Sequence, residues 1–116
     1  MTASIFDIFK IGIGPSSSHT VGPMLIANEF INFVKTKNLL FSTHSIRIDF
    51  FGSLAATGIG HASDKAVLLG LLGNTPKTVD TNTIENTVEA IKISKKINLF
   101  NEKNIDFDYK KDLILN

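Results

Sequence analysis

The sequence predicts an α/β (α+β) fold in which helices pack on a small sheet. Some stretches place apolar residues three and four positions apart, the period of an amphipathic helix, and others place them at every second position, the period of a strand. The two kinds of stretch interleave along the chain, which favours helices layered on a sheet. With 116 residues, 43% of them hydrophobic and 20% charged, the chain is long enough for a modest core. We therefore expect residues 1–116 to form a single domain.

The first half of the chain contains two predicted helices and one predicted strand. Residues 5–11 are mostly apolar and predict one or two turns of helix, with a short strand as the alternative. Pro23 suits the first turn of a helix, so we predict a helix over residues 23–36. Residues 46–52 then alternate apolar and polar side chains, which predicts a strand with one buried face.

The second half of the chain begins with a helix predicted over residues 61–72, which Gly73 ends because glycine suits the left-handed turn after a helix. A further helix is predicted over residues 83–96, with Ile97 continuing its apolar stripe. Residues 105–111 alternate again and predict a strand in the same sheet as the first one. The chain stops on an apolar run without a polar tail, so we expect it to be part of a longer protein.

Composition argues against several classes of protein. The formal net charge is +1 and acidic residues lie among the lysines, so nothing favours a nucleic acid or a membrane surface as a partner. The chain contains no cysteine, so it can offer neither a thiolate nucleophile nor cysteine ligands to zinc or to an iron–sulfur cluster. The opening residues lack the pattern of a signal peptide and no apolar run is long enough to span a membrane, so we expect a cytoplasmic protein.

A segment rich in glycine, proline and hydroxyl residues, residues 12–23, lies between the first two apolar stretches. Such a segment, ending at a helix, brings together backbone N–H groups, hydroxyls and the positive end of a helix dipole. These groups are the outline of an anion site, and His19 adds a side chain that exchanges protons near neutral pH. An ordinary helix cap with a solvent-facing histidine is the alternative, which the residue types leave open. The hydroxyl residues are Ser16, Ser17, Ser18 and Thr20.

A second glycine-rich turn follows the strand predicted over residues 46–52 and leads to His61. Asp64 and Lys65 lie three and four residues further on, so the three side chains share one face of the predicted helix. Asp64 could hold the imidazole in one tautomer, and Lys65 adds positive charge for an anionic ligand. An exposed first turn with a polar cluster is the open alternative. If the two segments form one site, His19 and His61 should lie on the same surface.

Two histidines with hydroxyls and a lysine nearby suit the binding of a small carboxylate and proton transfer beside it. Zinc is a rival ligand, and its third protein ligand would have to be His44, Asp49 or Asp64; no HxH or HxxxH spacing is present. A serine–histidine pair within residues 16–19 is a weaker rival, because adjacent residues rarely point at one another and no GxSxG elbow is present. We assign no metal ligand to this chain.

Two blocks of the sequence resemble the bacterial iron–sulfur L-serine dehydratases. The first block, FDIFKIGIGPSSSHTVGPM at residues 6–24, is similar to the opening of those enzymes. The second begins with FGSLA at residues 51–55 and ends with DKAVLLGL at residues 64–71, in the order and spacing of the family. Ala62 and Ser63 depart from the pattern, since the family commonly has glycine and threonine there.

The resemblance implies an enzyme that eliminates water from L-serine and releases pyruvate and ammonia by way of aminoacrylate. It implies a [4Fe–4S] cluster with one iron acting as a Lewis acid on the substrate hydroxyl, and a cluster-bearing α domain or subunit that supplies the cysteines. This chain would be the β part of that longer enzyme and inactive alone, with a fold resembling the allosteric substrate-binding domain of some phosphoglycerate dehydrogenases. We expect the complete enzyme to be a homo-oligomer.

By the same resemblance, His19 and His61 are expected to be catalytic and to face the cluster across the boundary between the two parts. A function of another class stays open, namely a regulatory module that senses a small carboxylate through the same two segments and does no chemistry. The residues expected to bind substrate are Ser16, Ser17, Ser18, Thr20, Asp64 and Lys65.

Overall fold

The computed structural model describes residues 8–13, 21–50 and 62–115. The helices of these ranges are α1 (Val21–Thr36), α2 (Ala62–Leu71) and α3 (Ile84–Ser94). The strands of the same ranges are β1 (Ile8–Ile13), β2 (Ser45–Phe50), β3 (Lys96–Leu99), β4 (Lys103–Asp106) and β5 (Leu113–Leu115). None of these helices is long and apolar enough to cross a membrane.

Strands β1, β2 and β5 form a parallel sheet with β2 in the middle, and β3 and β4 form a separate antiparallel hairpin. Parallel neighbours need a crossover connection, and α1 lies in the one between β1 and β2. The alternating residues Ile46, Ile48 and Phe50 of β2 are buried in a core to which all three helices contribute. The predicted α/β class is confirmed, and the resemblance to a phosphoglycerate dehydrogenase domain stays a prediction.

Helices α1 and α2 pack directly on each other. A Cβ atom added at Gly70 of α2 would lie 2.7 Å from the Cβ of Ala27 and closer still to the carbonyl oxygen of Met24, so the glycine allows the two backbones to approach. Gly73 follows α2 with a φ of 104°, and its N–H donates to the carbonyl of Gly70 at 2.9 Å. The predicted end of this helix is confirmed, and so are the helices predicted over residues 23–36, 61–72 and 83–96, with small shifts at their ends.

The helix predicted over residues 5–11 is wrong in the part that the structure describes, since Ile8–Ile13 is a strand paired in parallel with β2. A short, mostly apolar run does not separate a buried strand from a helix by its period alone. Its β-branched isoleucines favour a strand, and Gly12 disfavours a helix interior.

The strand predicted over residues 105–111 is wrong in extent and in partner. Its first two residues belong to β4, which pairs with β3 and not with the sheet of β2. Helix α3 ends at Ser94 because Lys95 adopts the left-handed conformation, and Ile97 consequently lies in β3 instead of extending the helix. The strand ends at Asp106 although the alternation continues, and the carboxylate of Asp108 accepts the Lys110 N–H at 2.9 Å in a turn. The strand that joins β2 comes later, as β5.

Candidate functional site

Three neighbouring parallel strands end side by side at one edge of the sheet. Ile13 of β1 lies opposite Phe50 of β2, and Phe50 lies opposite Leu115 of β5. Residues 14–20 follow β1 in the sequence and residues 51–61 follow β2, so both predicted motif segments leave the sheet at this carboxyl edge. Ligands of open α/β sheets bind at the carboxyl ends of the strands.

The two segments also lead into helices that pack together, because α1 follows residues 14–20 and α2 follows residues 51–61. The side-chain amide of Asn28 in α1 donates to the carbonyl of Asn74, just beyond α2, at 3.1 Å and adds a polar tie between the helices. The residue before each segment therefore lies in a paired strand, and the residue after it lies in one of two helices in contact.

Most of the predicted site residues lie outside the described residues, and their roles stay predictions. These residues are Ser16, Ser17, Ser18, His19, Thr20 and His61. The expectation that the two histidines share a surface likewise falls on positions that the structure does not describe.

Asp64 and Lys65, in the first turn of α2, are the two predicted ligand-binding residues whose side chains the structure describes. Asp64 is 1% exposed, and its Oδ2 accepts a hydrogen bond from the Tyr109 hydroxyl. Lys65 points elsewhere, with its Nζ 2.7 Å from Oε2 of the exposed Glu85 in α3. The hydrogen bond that Lys65 donates to Glu85 is the main cause that raises the pKa of Lys65, so the ammonium form is favoured. Their assignment to substrate binding stays a prediction.

Tyr109 is the functional candidate that sequence reasoning missed. The residue is buried, and burial followed by the hydrogen bond to Asp64 raises the pKa of its hydroxyl well above the ordinary value. The ammonium of Lys92 lies 4.6 Å from the centre of its ring. A signal was available, since Tyr109 is the one tyrosine of the chain and occupies an apolar position of an alternating stretch. A buried tyrosine hydroxyl usually has a hydrogen-bond partner.

A second buried carboxylate lies next to the carboxyl edge of the sheet. Asp49 of β2 is 4% exposed, pairs across the sheet with Gly12 of β1, and its Oδ1 accepts from Arg47 Nε at 3.0 Å. Asp49, like Asp64, is thus engaged with a neighbouring side chain. Over the ranges that the structure describes, no group of three or more histidine, aspartate or glutamate side chains is placed to hold a metal ion.

The parallel sheet, with both motif segments leaving its carboxyl edge, defines an α/β protein with a candidate site at that edge. A family model described as serine dehydratase beta chain matches residues 4–116. The chain belongs to the serine dehydratase beta chain family.

The chain is similar in sequence to L-serine dehydratases from several bacteria. The chain is 50% identical over 115 residues to an L-serine dehydratase of Streptomyces coelicolor, an alignment that covers 99% of this chain and 25% of the relative. It is 42% identical over 112 residues to an L-serine dehydratase of Haemophilus influenzae, an alignment that covers 96% of this chain and 25% of the relative. It is 45% identical over 111 residues to an L-serine dehydratase of Helicobacter pylori, and the alignment covers 96% of this chain and 24% of the relative. The chain therefore spans about a quarter of the length of these relatives.

Proposed function

We propose that this chain is the β part of an L-serine ammonia-lyase, in which residues 14–20 and 51–61 meet in one site. The observation that carries the proposal is the register of the sheet, which puts Ile13 opposite Phe50 at the points where the two segments begin. Membership of the serine dehydratase beta chain family and relatives called L-serine dehydratase support the choice of reaction.

The reaction removes the α-proton and the β-hydroxyl of L-serine, which together leave as water and give aminoacrylate. Aminoacrylate tautomerises to an imine, which water hydrolyses to pyruvate and ammonia. One water leaves and one is consumed, so the reaction needs neither an oxidant nor a reductant. In our proposal His19 and His61 hold or move the protons of these steps, because imidazole exchanges protons near neutral pH. The hydroxyls of Ser16, Ser17, Ser18 and Thr20 would orient the substrate through hydrogen bonds.

Lys65 is a suitable partner for the substrate carboxylate, because the bond to Glu85 favours its charged form. Glu85 is largely exposed, with 76% of its side chain in contact with solvent. An exposed ion pair contributes little free energy, so exchanging Glu85 for a substrate carboxylate would cost little.

The chain cannot hold the iron–sulfur cluster that its resemblance implies, because it contains no cysteine to supply thiolates. We therefore propose that a cluster-bearing α domain or subunit completes the site, in a cytoplasmic homo-oligomer of the complete enzyme. When bound there, the cluster would supply a Lewis acid for the substrate hydroxyl. Relatives about four times as long as this chain support the existence of such a further part.

The test uses the complete enzyme under anaerobic conditions and compares His19→Ala and His61→Ala with His44→Ala. His44 is the remaining histidine of the chain. It lies just before β2, is exposed, and serves as the matched control. A positioned acid or base contributes about 10²–10⁴-fold in rate, so each of the first two variants should lose kcat on that scale. The visible absorption of the cluster should stay unchanged in all three.

Near wild-type turnover in both His19→Ala and His61→Ala would contradict the catalytic assignment. Saturable binding of L-serine by this chain, together with such turnover, would favour the sensing module instead. Dehydratase activity of this chain alone, without iron, would overturn the proposed function.

A further inference from the structure

The first turn of α2 is held from two sides by the C-terminal half of the chain. Asp64 points inward and accepts a hydrogen bond from Tyr109, while Lys65 points outward and binds Glu85. Both follow closely after His61 in the sequence, so the first turn of α2 is the part of the described chain that comes next after this histidine. Tyr109 has no part in the proton transfer or the substrate binding proposed above.

The two ties differ in strength. The bond between Lys65 and Glu85 is on the surface, where an ion pair is weakened by solvent and by the entropy of two long side chains. The bond between Tyr109 and Asp64 joins two buried groups and has an acidic acceptor, the kind of hydrogen bond that is shorter and stronger than a neutral one. The inward bond to Tyr109 is therefore the stronger of the two bonds at the first turn of α2.

Tyr109 itself lies in a turn that backbone hydrogen bonds join to its neighbours. The N–H of Phe107 donates to the carbonyl of Lys95 at the end of α3 at 2.9 Å, and the N–H of Asp112 donates to the carbonyl of Asp108 at 2.8 Å. The carbonyl of Asp112 accepts in turn from the N–H of Ile48 in β2 at 2.7 Å. The turn that contains Tyr109 is thus hydrogen-bonded to β2, the central strand of the sheet. Residues 51–61 follow this strand in the sequence.

We infer that Tyr109 is a positioning residue for the proposed proton transfer, whose hydroxyl fixes Asp64 and with it the first turn of α2, the turn that follows His61 in the sequence. This inference rests on the proposed function. It assigns Asp64 a role in orientation instead of direct contact with substrate. A group that orients an acid or base affects the chemical step more than the binding of substrate.

The test measures kcat and KM of the complete enzyme with Tyr109→Phe, which removes one oxygen and keeps the buried ring. Small displacements of a reacting group can cost about 10²-fold, so we expect kcat to fall by up to that factor while KM stays close to that of the wild type. Lys92→Ala is the matched control, because the Lys92 ammonium lies over the same ring and takes no part in the hydrogen bond. It should leave both constants unchanged.

Variants of Asp64 separate positioning from mere stability. Asp64→Asn keeps an oxygen that can accept from Tyr109, so it should retain more of kcat than Asp64→Ala. Combining Asp64→Ala with Tyr109→Phe should lower kcat no further than Asp64→Ala alone, because both remove the same contact. All rates are measured at a temperature at which circular dichroism shows each variant to be folded. Should Tyr109→Phe not fold, the comparison of Asp64→Asn with Asp64→Ala still decides.

The outcomes distinguish this inference from the proposed function. If His61→Ala loses turnover but Tyr109→Phe keeps it, the positioning role is wrong and the proposed function stands. A raised KM with unchanged kcat in the Asp64 variants would overturn the positioning role and favour direct binding of substrate. If His61→Ala, Tyr109→Phe and Asp64→Ala all turn over L-serine like the wild type, the catalytic assignment of His61 and the positioning role of Tyr109 are both wrong.

Discussion

At the scale of single residues, Asp64 and Lys65 show how neighbours on one helical turn can have different environments. They lie three and four residues after His61, and this spacing predicts that both belong to a ligand-binding face. Asp64 is nevertheless buried against Tyr109, whereas Lys65 meets Glu85 at the surface. The difference arises from what packs on the turn, namely the segment that precedes β5 on one side and α3 on the other.

Tyr109 should ionise well above its ordinary range in the folded chain. Burial is the main cause that raises its pKa, and the charges of Asp64 and Glu85 add to it, while Lys92 lies over the ring. The ultraviolet absorbance of phenolate measures this residue alone, because the chain has one tyrosine and no tryptophan. Asp64→Asn should lower the midpoint without restoring the ordinary value, since burial remains. A wild-type midpoint near pH 10 would contradict the buried hydrogen bond.

The same shift determines how stability depends on alkaline pH. A tyrosine whose pKa is raised on folding contributes stability that is fully present below the pKa of the unfolded chain, about 10. Above that pH the unfolded chain loses its proton first, so the free energy of unfolding should fall as pH rises. Urea unfolding of the wild type and of Tyr109→Phe at pH 8 to 11 checks this, because the slope due to Tyr109 should be missing in the variant.

At the scale of elements, the contact of α1 with α2 sets the distance between the two helices that follow the motif segments in the sequence. Gly70 brings the backbones together at Met24 and Ala27, and residues 14–20 and 51–61 lead directly into these helices. A glycine inside a helix costs about 1 kcal/mol relative to alanine, so its presence here is explained by the close approach and not by helix propensity.

Gly70→Ala should destabilise the chain although alanine is the better helix former. The added methyl group would overlap the Met24 carbonyl and the Ala27 side chain, and overpacking typically costs about 1–3 kcal/mol. Asn86→Ala, at an exposed position of α3, is the control and should change the free energy of unfolding by less than about 0.5 kcal/mol. Urea denaturation followed by circular dichroism measures both. A Gly70→Ala variant as stable as the wild type would mean that the helices do not cross closely at this residue.

At the scale of the whole molecule, the last strand ties the C-terminal half of the chain to the candidate site. Strand β5 pairs with β2, so that the central strand has a parallel neighbour on each side. Tyr109 and the turn around it lie immediately before this strand. The hairpin β3–β4 and helix α3 are thereby connected to the edge where the motif segments leave the sheet.

Leu113→Ala tests how much the sheet depends on β5. Leu113 is 2% exposed and pairs with Ile48, and truncating a buried leucine typically costs about 2–5 kcal/mol. Leu25→Ala is the same substitution at a residue of α1 that is 40% exposed, so it should cost far less. Thermal unfolding of the two variants side by side gives the comparison. Equal melting temperatures would show that β5 contributes little to the fold.

The sequence predicted where helices form better than it predicted which strands pair with each other. The helices over Val21–Thr36 and Ala62–Leu71 were predictable because apolar spacing and the residues that begin and end a helix act locally. The strand at Ile8–Ile13 and the hairpin after α3 were not, since a short apolar run fits either a strand or a helix. The left-handed conformation of Lys95, which ends α3, is rare for residues other than glycine and has no clear sequence signal.

By itself, the sequence determined the α/β class, the three helices, the absence of thiolates and the two histidine-bearing segments with their family resemblance. Only the tertiary structure decided that Ile13 and Phe50 lie side by side, that β5 and not β4 joins their sheet, and that Tyr109 binds Asp64. The physical reason is range. Periodicity and helix ends depend on residues within one or two turns, whereas strand pairing and buried hydrogen bonds join residues far apart in the chain, whose choice among partners is settled by the packing of the whole core.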